Sequence, residues 1–292
     1  MKRREFLRHA ATGIGAAIVG SRIGELPTLA QQPLPQKFQA HDHDEVTLER
    51  TGIRTSRLAM GTGTIGGGGA SNQTRIGDTK ASRLLIDGYH ENGLRFYDTA
   101  DSYGSHPYVA EALKHVPRDK VTVLTKTDTR DPAGVRADLD RFRRELGVDM
   151  IDVVLIHCVT EDDWTTRYRG AMDVLSEAKH KGILRAHGVS CHSIGALRAA
   201  AASPWVELDL VRLNPVQAHM DASPDTVLEV IREMRGSGKA IVGMKILGQG
   251  AMRDRPSEAL RYALGTGVLD AFTIGAENGN EQNDLVHRIA AA

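Results

Sequence analysis

The sequence predicts an α/β fold, a (β/α)8 or TIM-type barrel with a short N-terminal hairpin, and three observations lead there. Near-continuous apolar runs alternate with amphipathic helical stretches from about residue 57 onward, as in a parallel sheet covered on its outside. Eight such units can be read, which favours a closed barrel over an open sheet. The chain has 292 residues, a length that α/β barrels use as one domain.

The first 30 residues stand apart from this pattern. Lys2-Arg3-Arg4-Glu5-Phe6-Leu7 is a basic start, Ala10 to Gly20 is mildly apolar, and Thr28 and Ala30 are small. That order describes a signal peptide, and its apolar run is far shorter than the ~20 residues that cross a bilayer. The Arg-Arg pair before Glu-Phe-Leu resembles a twin-arginine signal, which exports proteins already folded. It implies the twin-arginine machinery as a partner, cleavage near Ala30 and a periplasmic or secreted location. A basic, frayed N-terminus on a cytoplasmic protein is the plainer alternative. Residues 31–44, rich in Gln, Pro and His, read as a linker in which His41 and His43 form a solvated tail, and no metal site is expected.

Residues 45–292 read as a single barrel domain. VTLERTG and the following IRTSRLAMG suggest a hairpin capping one end, then a first strand over 57–61. A helix over 81–92 leads to strand 94–98, and a helix over 108–114 to strand 121–126. Pro132 opens a helix that Gly147 stops, since proline suits the first turn and glycine the residue after the last. Strand 151–157 follows, then a helix over 168–181 ended by Gly182. Strands 183–190 and 208–214 flank an Ala-rich helix. A helix over 224–235 precedes strand 240–245, a helix over 256–264 precedes strand 269–275, and a helix over 280–290 completes the count.

Gly61-Thr62-Gly63-Thr64-Ile65-Gly66 fits G-x-G-x-x-G after a strand. The dinucleotide fingerprint also needs a helix opening on its last glycine. Gly67, Gly68, Gly69, Ala70, Ser71 and Asn72 follow instead, so 61–69 reads as a loop at the barrel mouth. Lys plus Arg and Asp plus Glu are 37 each, and no net field favours nucleic acid or an anionic membrane. Arg141, Arg143 and Arg144 beside Asp138, Asp140 and Glu145 read as a solvated helix face. Two cysteines, Cys158 and Cys191, are too few for a disulfide framework or an iron–sulfur site. They follow His157 and Ser190 on neighbouring strands, where they are small core residues or a redox-sensitive pair.

The chemistry lies where the strands end. LRFYD closes on Asp98, Tyr103 stands in the loop beyond it, VTVLTK closes on Lys126 and IDVVLIH on His157. In a parallel barrel the C-terminal strand ends surround one pocket. A phenol has an ordinary pKa of about 10 and needs help to move protons at neutral pH. Lys126 can lower it, Asp98 can keep Lys126 charged, and His157 can donate to an oxygen gaining negative charge. The four together suit a carbonyl becoming an alcohol. Singly each has a bland reading: a helix cap for Asp98, a packed loop aromatic for Tyr103, a solvated strand end for Lys126, a satisfied core histidine for His157.

At these residues the chain resembles the aldo-keto reductase family. FYDTADSYG (96–104), TKT (125–127), IDVVLIHC (151–158) and GILRAHGVS (182–190) are similar to that family's motifs. The resemblance runs from about Val46 to the last helix. It implies Tyr103 as general acid tuned by Lys126 and Asp98, His157 orienting the carbonyl, and hydride transfer with an aldehyde, ketone or alcohol. The implied cofactor is NADP, with NAD as the alternative, bound without a Rossmann domain. Gly61, Thr62, Ser190, Cys191, Met244, Lys245, Leu247, Gly248, Gly250 and Gly275 are the cofactor positions it suggests, with Ser190 on the nicotinamide carboxamide.

Departures from the family pattern bear on these expectations. Cys191 stands where the family often has Asn, Leu210 where a strand-six Gln is usual, and Met244 where a flat group faces the nicotinamide. MKILGQG (244–250) keeps the look of a phosphate-binding loop, whereas GAENGNEQND (275–284) has no Lys/Arg clamp for a 2′-phosphate. The sequence ends soon after the last helix, which implies an open substrate pocket. Two other functions fit the residues less well. A binding or regulatory protein would keep the barrel without turnover, and a barrel isomerase or lyase would use Tyr103 and His157 without hydride transfer.

Overall fold

Glu45–Leu48 (β1) and Ile53–Ser56 (β2) pair antiparallel across a turn closed by Gly52, whose φ of 64° is the left-handed conformation glycine adopts freely. In this computed structural model, residues 45–292 are described. The signal, the linker and the His41/His43 pair lie outside the described residues. Leu48 and Ile53 are fully buried among side chains that fill the barrel interior, including Phe96, Leu124, Leu208 and Ala240. The hairpin is tied down where strands begin: the Arg50 N–H donates to the Gly238 carbonyl at 3.1 Å, and its guanidinium to the Ser237 carbonyl at 2.6 Å. The expected hairpin cap therefore plugs the N-terminal end of the barrel.

The eight remaining strands close on themselves in the order β10-β3-β4-β5-β6-β7-β8-β9, every pair parallel. They are Leu58–Gly61 (β3), Phe96–Asp98 (β4), Thr122–Thr127 (β5), Ile151–Val159 (β6), Leu184–Cys191 (β7), Leu208–Arg212 (β8), Ala240–Met244 (β9) and Ala271–Ile274 (β10). Strand alternation splits the core into two layers. Phe96, Leu124, Leu155 and Leu210 fill the barrel, while their neighbours Tyr97, Val123, Val154 and Val211 meet the helices outside. Each fully buried side chain of this size contributes about 1.5–3 kcal/mol of burial.

The helices covering the outer layer are Asn72–Arg75 (α1), Asp78–Asn92 (α2), His106–Leu113 (α3), Pro132–Leu146 (α4), Trp164–Arg167 (α5), Arg169–His180 (α6), Ile194–Ala202 (α7), Pro224–Gly236 (α8), Pro256–Gly265 (α9) and Gly279–Ala290 (α10). No helix among the described residues is long and apolar enough to cross a membrane. Helix α4 has the expected bounds, with the Asp131 side chain capping the Gly134 N–H at 2.8 Å and Gly147 ending it at φ 66°. Two departures concern the mouth. Strand β6 runs two residues past His157, with a register shift against β7 and Cys158 at φ 50°. The loop after β3 carries the extra turn α1, because Ser71 and Thr74 form a reciprocal capping box.

Candidate active site

Parallel register brings the ends of β4, β5 and β6 to one rim. Lys126 is wholly buried, and its Nζ donates to Asp98 Oδ1 at 2.5 Å and to the Thr99 carbonyl at 2.8 Å. Burial opposes the ammonium, but Asp98 and Tyr103 together outweigh it and raise the Lys126 pKa. Thr273 donates to the other Asp98 oxygen at 2.8 Å, so both carboxylate oxygens are engaged. Nζ also lies 4.8 Å from the centroid of the Tyr103 ring. Burial raises the phenol's pKa while Lys126 pulls it down. Without a ligand burial wins, and Tyr103 is held protonated, the form a general acid needs.

Tyr103 sits in a single 3-10 turn, Asp101–Tyr103, and the loop after β3 lies against its ring. A Cβ on Gly63 would come within 2.2 Å of the ring and one on Gly66 within 2.7 Å. The Gly69 N–H donates to the Ser102 carbonyl at 2.8 Å, which fastens loop to turn. Two glycines of the apparent dinucleotide fingerprint, Gly63 and Gly66, thus let backbone approach the phenol, while Gly61 makes room for Thr273.

The Tyr103 hydroxyl is 3.4 Å from His157 Nε2, and His157 Nδ1 is 2.9 Å from Asp128 Oδ1. Burial raises the Asp128 pKa, yet the hydrogen bond and charge of His157, with Ser102 and Arg130, together leave the carboxyl below its ordinary value. Burial likewise lowers His157. An ionised Asp128 only accepts, so the neutral imidazole carries its proton on Nδ1 and turns the Nε2 lone pair to Tyr103. Donation from His157 to a carbonyl oxygen, the role read from sequence, therefore requires a second proton on the ring.

Two positioning contacts were not legible in the sequence reading. Asp128 lies in the loop just past the end of β5, two positions after Lys126, and reaches His157 from the rim; its place at a strand end was the available signal. Arg141, read as part of a solvated face, instead grips Asp101 with two bonds of 2.7 and 2.8 Å and Asp138 with one of 2.7 Å. Asp138 in turn accepts from Thr127 at 2.6 Å and Thr129 at 2.7 Å. Helix α4 thereby braces the turn bearing Tyr103 and the strand end bearing Lys126.

A cleft of about 590 Å³ opens from this rim, within the ~300–1,000 Å³ of small-molecule sites. Asp98, Tyr103, Leu210 and Met244 line its deep end. Of the suggested cofactor positions, Gly61, Met244, Lys245, Leu247, Gly250 and Gly275 line the cleft. Ser190 lies on the inward parity of β7, and its fully buried hydroxyl has no hydrogen-bond partner. Ser190 is not among the side chains that line the cleft, yet an orphaned hydroxyl there is a group that a ligand's amide would satisfy. Three positions fall elsewhere. Thr62 is buried against the Asp98 carbonyl and Ser105. Gly248 is buried in the turn beyond β9. Cys191, one residue past Ser190, points outward beneath the helices, where its thiol donates to Asp209 at 3.2 Å. Cys158 points the other way, its Sγ 3.7 Å from His192 Nε2, and both thiols are free.

A closed parallel barrel that gathers a phenol, an imidazole and a buried ion pair at its C-terminal rim has the architecture in which barrel enzymes set their active sites. The chain is a member of the aldo/keto reductase family, whose model matches residues 57–268. It is 28% identical over 194 residues to the NADH-specific methylglyoxal reductase of Escherichia coli, covering 58% of this chain and 57% of that protein. It is 22% identical over 248 residues to a D-threo-aldose 1-dehydrogenase of a Pseudomonas species, covering 73% of each. The matched segment thus spans little more than half of the first relative. The holo form of the aldo-keto reductase AKR11C1 from Bacillus halodurans has the same fold, with a TM-score of 0.69 at 19% identity over 85% of this chain and 91% of that one. The names of the two relatives, a reductase and a dehydrogenase, describe oxidoreduction by those proteins.

Proposed function

We propose that this protein is a nicotinamide-dependent reductase of a small aldehyde or ketone, working in reverse as an alcohol dehydrogenase, with Tyr103 as its general acid and base. The observation that carries the reading is the phenol held protonated beside the buried Lys126–Asp98 pair at the deep end of the cleft. When bound, the dinucleotide supplies hydride to the carbonyl carbon. Gly61, Met244, Lys245, Leu247, Gly250 and Gly275 are the walls that would hold it, and Ser190 offers its hydroxyl to the carboxamide. As the carbonyl π pair moves onto oxygen, Tyr103 transfers its O–H proton there, and Lys126 stabilises the phenolate left behind. His157, protonated from solvent and stabilised by Asp128, returns a proton from Nε2 to the phenolate. The names of the two relatives support a small carbonyl or alcohol as substrate.

Tyr103→Phe tests the reading. Reduction of a panel of small carbonyl compounds should fall by about 10²–10⁴-fold, the worth of a general acid, while calorimetric binding of dinucleotide is kept. Turnover that persists without nicotinamide would replace this reading by an isomerase or lyase. The Arg3-Arg4 pair before Glu5-Phe6-Leu7 supports a second proposal, export of the folded barrel to the periplasm. Replacing both arginines by lysine should leave the protein in the cytoplasmic fraction, and unchanged fractionation would refute export by this route.

A further inference from the structure

The cleft that begins at Tyr103 changes electrostatic character along its length. Along the loop leaving β9 its wall includes Lys245 and Arg253, whereas along the loop leaving β10 and the first turns of α10 it includes Glu277, Glu281 and Asp284. Asp284 is neutralised by Arg288 at 2.6 Å. The bonds at the two glutamates come from amides, which leave the charges in place. Glu277 accepts from the Asn72 side chain at 2.6 Å, and Glu281 accepts from the Asn278 side chain and the Glu277 N–H, each at 2.8 Å.

The start of α10 is where a phosphate would look for free N–H donors. Two donors there are already used. Asn278 Oδ1 accepts the Glu281 N–H at 3.0 Å, and the Glu281 carboxylate occupies the Glu277 N–H. A carboxylate of the chain itself thus stands beside the helix start, where an incoming anion would meet its charge.

We propose that the cleft selects the dinucleotide without a phosphate on its adenosine ribose, NADH over NADPH, and that Glu277 and Glu281 make the selection. The proposal rests on the reductase reading and departs from the NADP that the family resemblance implies. With the nicotinamide end committed to a carbonyl at Tyr103, the adenosine half extends outward toward the glutamates. The diphosphate common to both forms suits Lys245 and Arg253 and does not discriminate. A 2′-phosphate, carrying about −1.5 to −2 charge, would meet two carboxylates, whereas a 2′-hydroxyl can donate to one.

Calorimetric titration of the folded protein with NADH and NADPH, and with ADP-ribose and its 2′-phosphorylated counterpart, tests this. Wild type should bind the unphosphorylated member of each pair at least about 10-fold more tightly. Added salt should narrow the gap by screening these exposed charges. Glu277 is exposed and lies outside the helices, so its variants keep the fold. Glu277→Gln should narrow the gap and Glu277→Arg reverse it. Equal binding of both forms by wild type, or a gap unmoved by Glu277→Arg, overturns the proposal while leaving the reductase reading intact. Failure of a folded protein to bind either dinucleotide overturns the reductase reading, and the proposal with it.

Discussion

Replacing Asp98 by asparagine keeps the side chain's shape and removes the charge that holds Lys126 in the core. The ammonium is 0% exposed and 2.5 Å from its partner. At an effective dielectric constant of ~20 the attraction over that distance is roughly 6–7 kcal/mol, before the desolvation of both ions is subtracted. Stranding one buried charge costs about 3–5 kcal/mol. For a domain of this size 1 kcal/mol is about 2–4 °C in Tm, so Asp98→Asn should melt roughly 6–20 °C lower. The double variant Asp98→Asn/Lys126→Met should recover most of that loss, because apolar groups replace buried pairs at little cost. Neither variant should regain reductase activity. Thermal and urea unfolding followed by circular dichroism give both numbers. A loss below about 1 kcal/mol for Asp98→Asn, the scale of an exposed pair, would refute the buried ion pair as the organiser of the site.

Asp128→Asn removes the group that favours the His157 imidazolium, so the pH above which carbonyl reduction declines should move downward and kcat should fall about 10-fold. A pH profile of kcat identical to wild type would remove Asp128 from the proton path. Arg141→Lys cannot reproduce a two-bond grip on Asp101, and kcat should drop several-fold with little change in dinucleotide affinity; calorimetry beside steady-state kinetics separates the two. Stability should be highest slightly below neutral pH. Burial first, with Arg212 second for His192, depresses His192 to about 3, and burial depresses His187 to about 4. Their contribution is complete above their ordinary value of about 6.5 and is lost as pH falls through those values. Burial raises Asp209 to about 7, so its contribution is complete below about 3.8 and is lost as pH rises through 7. Urea midpoints across pH 5 to 9 should decline on the alkaline side for wild type and stay flatter for Asp209→Asn.

The barrel was legible because its strands alternate between two apolar layers and its helices carry their stop signals with them, as Pro132 and Gly147 do for α4. Helix α2 begins three residues earlier than periodicity suggested. Its first residues are polar and exposed, and Gly77 at φ 98° starts it without a capping side chain. The bulge beyond His157 was not legible, since nothing local to Cys158 forecasts a positive φ; it comes from the register shift against β7. Asp98, Lys126 and His157 stood out because each closes an apolar run, and Tyr103 because it follows Asp98 in the next loop. Arg141 did not, because a charged helix face looks the same whether it meets water or a turn from another element. Cys191 is a position that only the family resemblance suggests, and strand alternation turns it outward from Ser190.

Leu48 and Ile53 make the barrel a vessel with a floor. With Phe96, Leu124 and Leu155 stacked above that floor, water has no way into the core from below, and the rim alone is left to open onto a cleft.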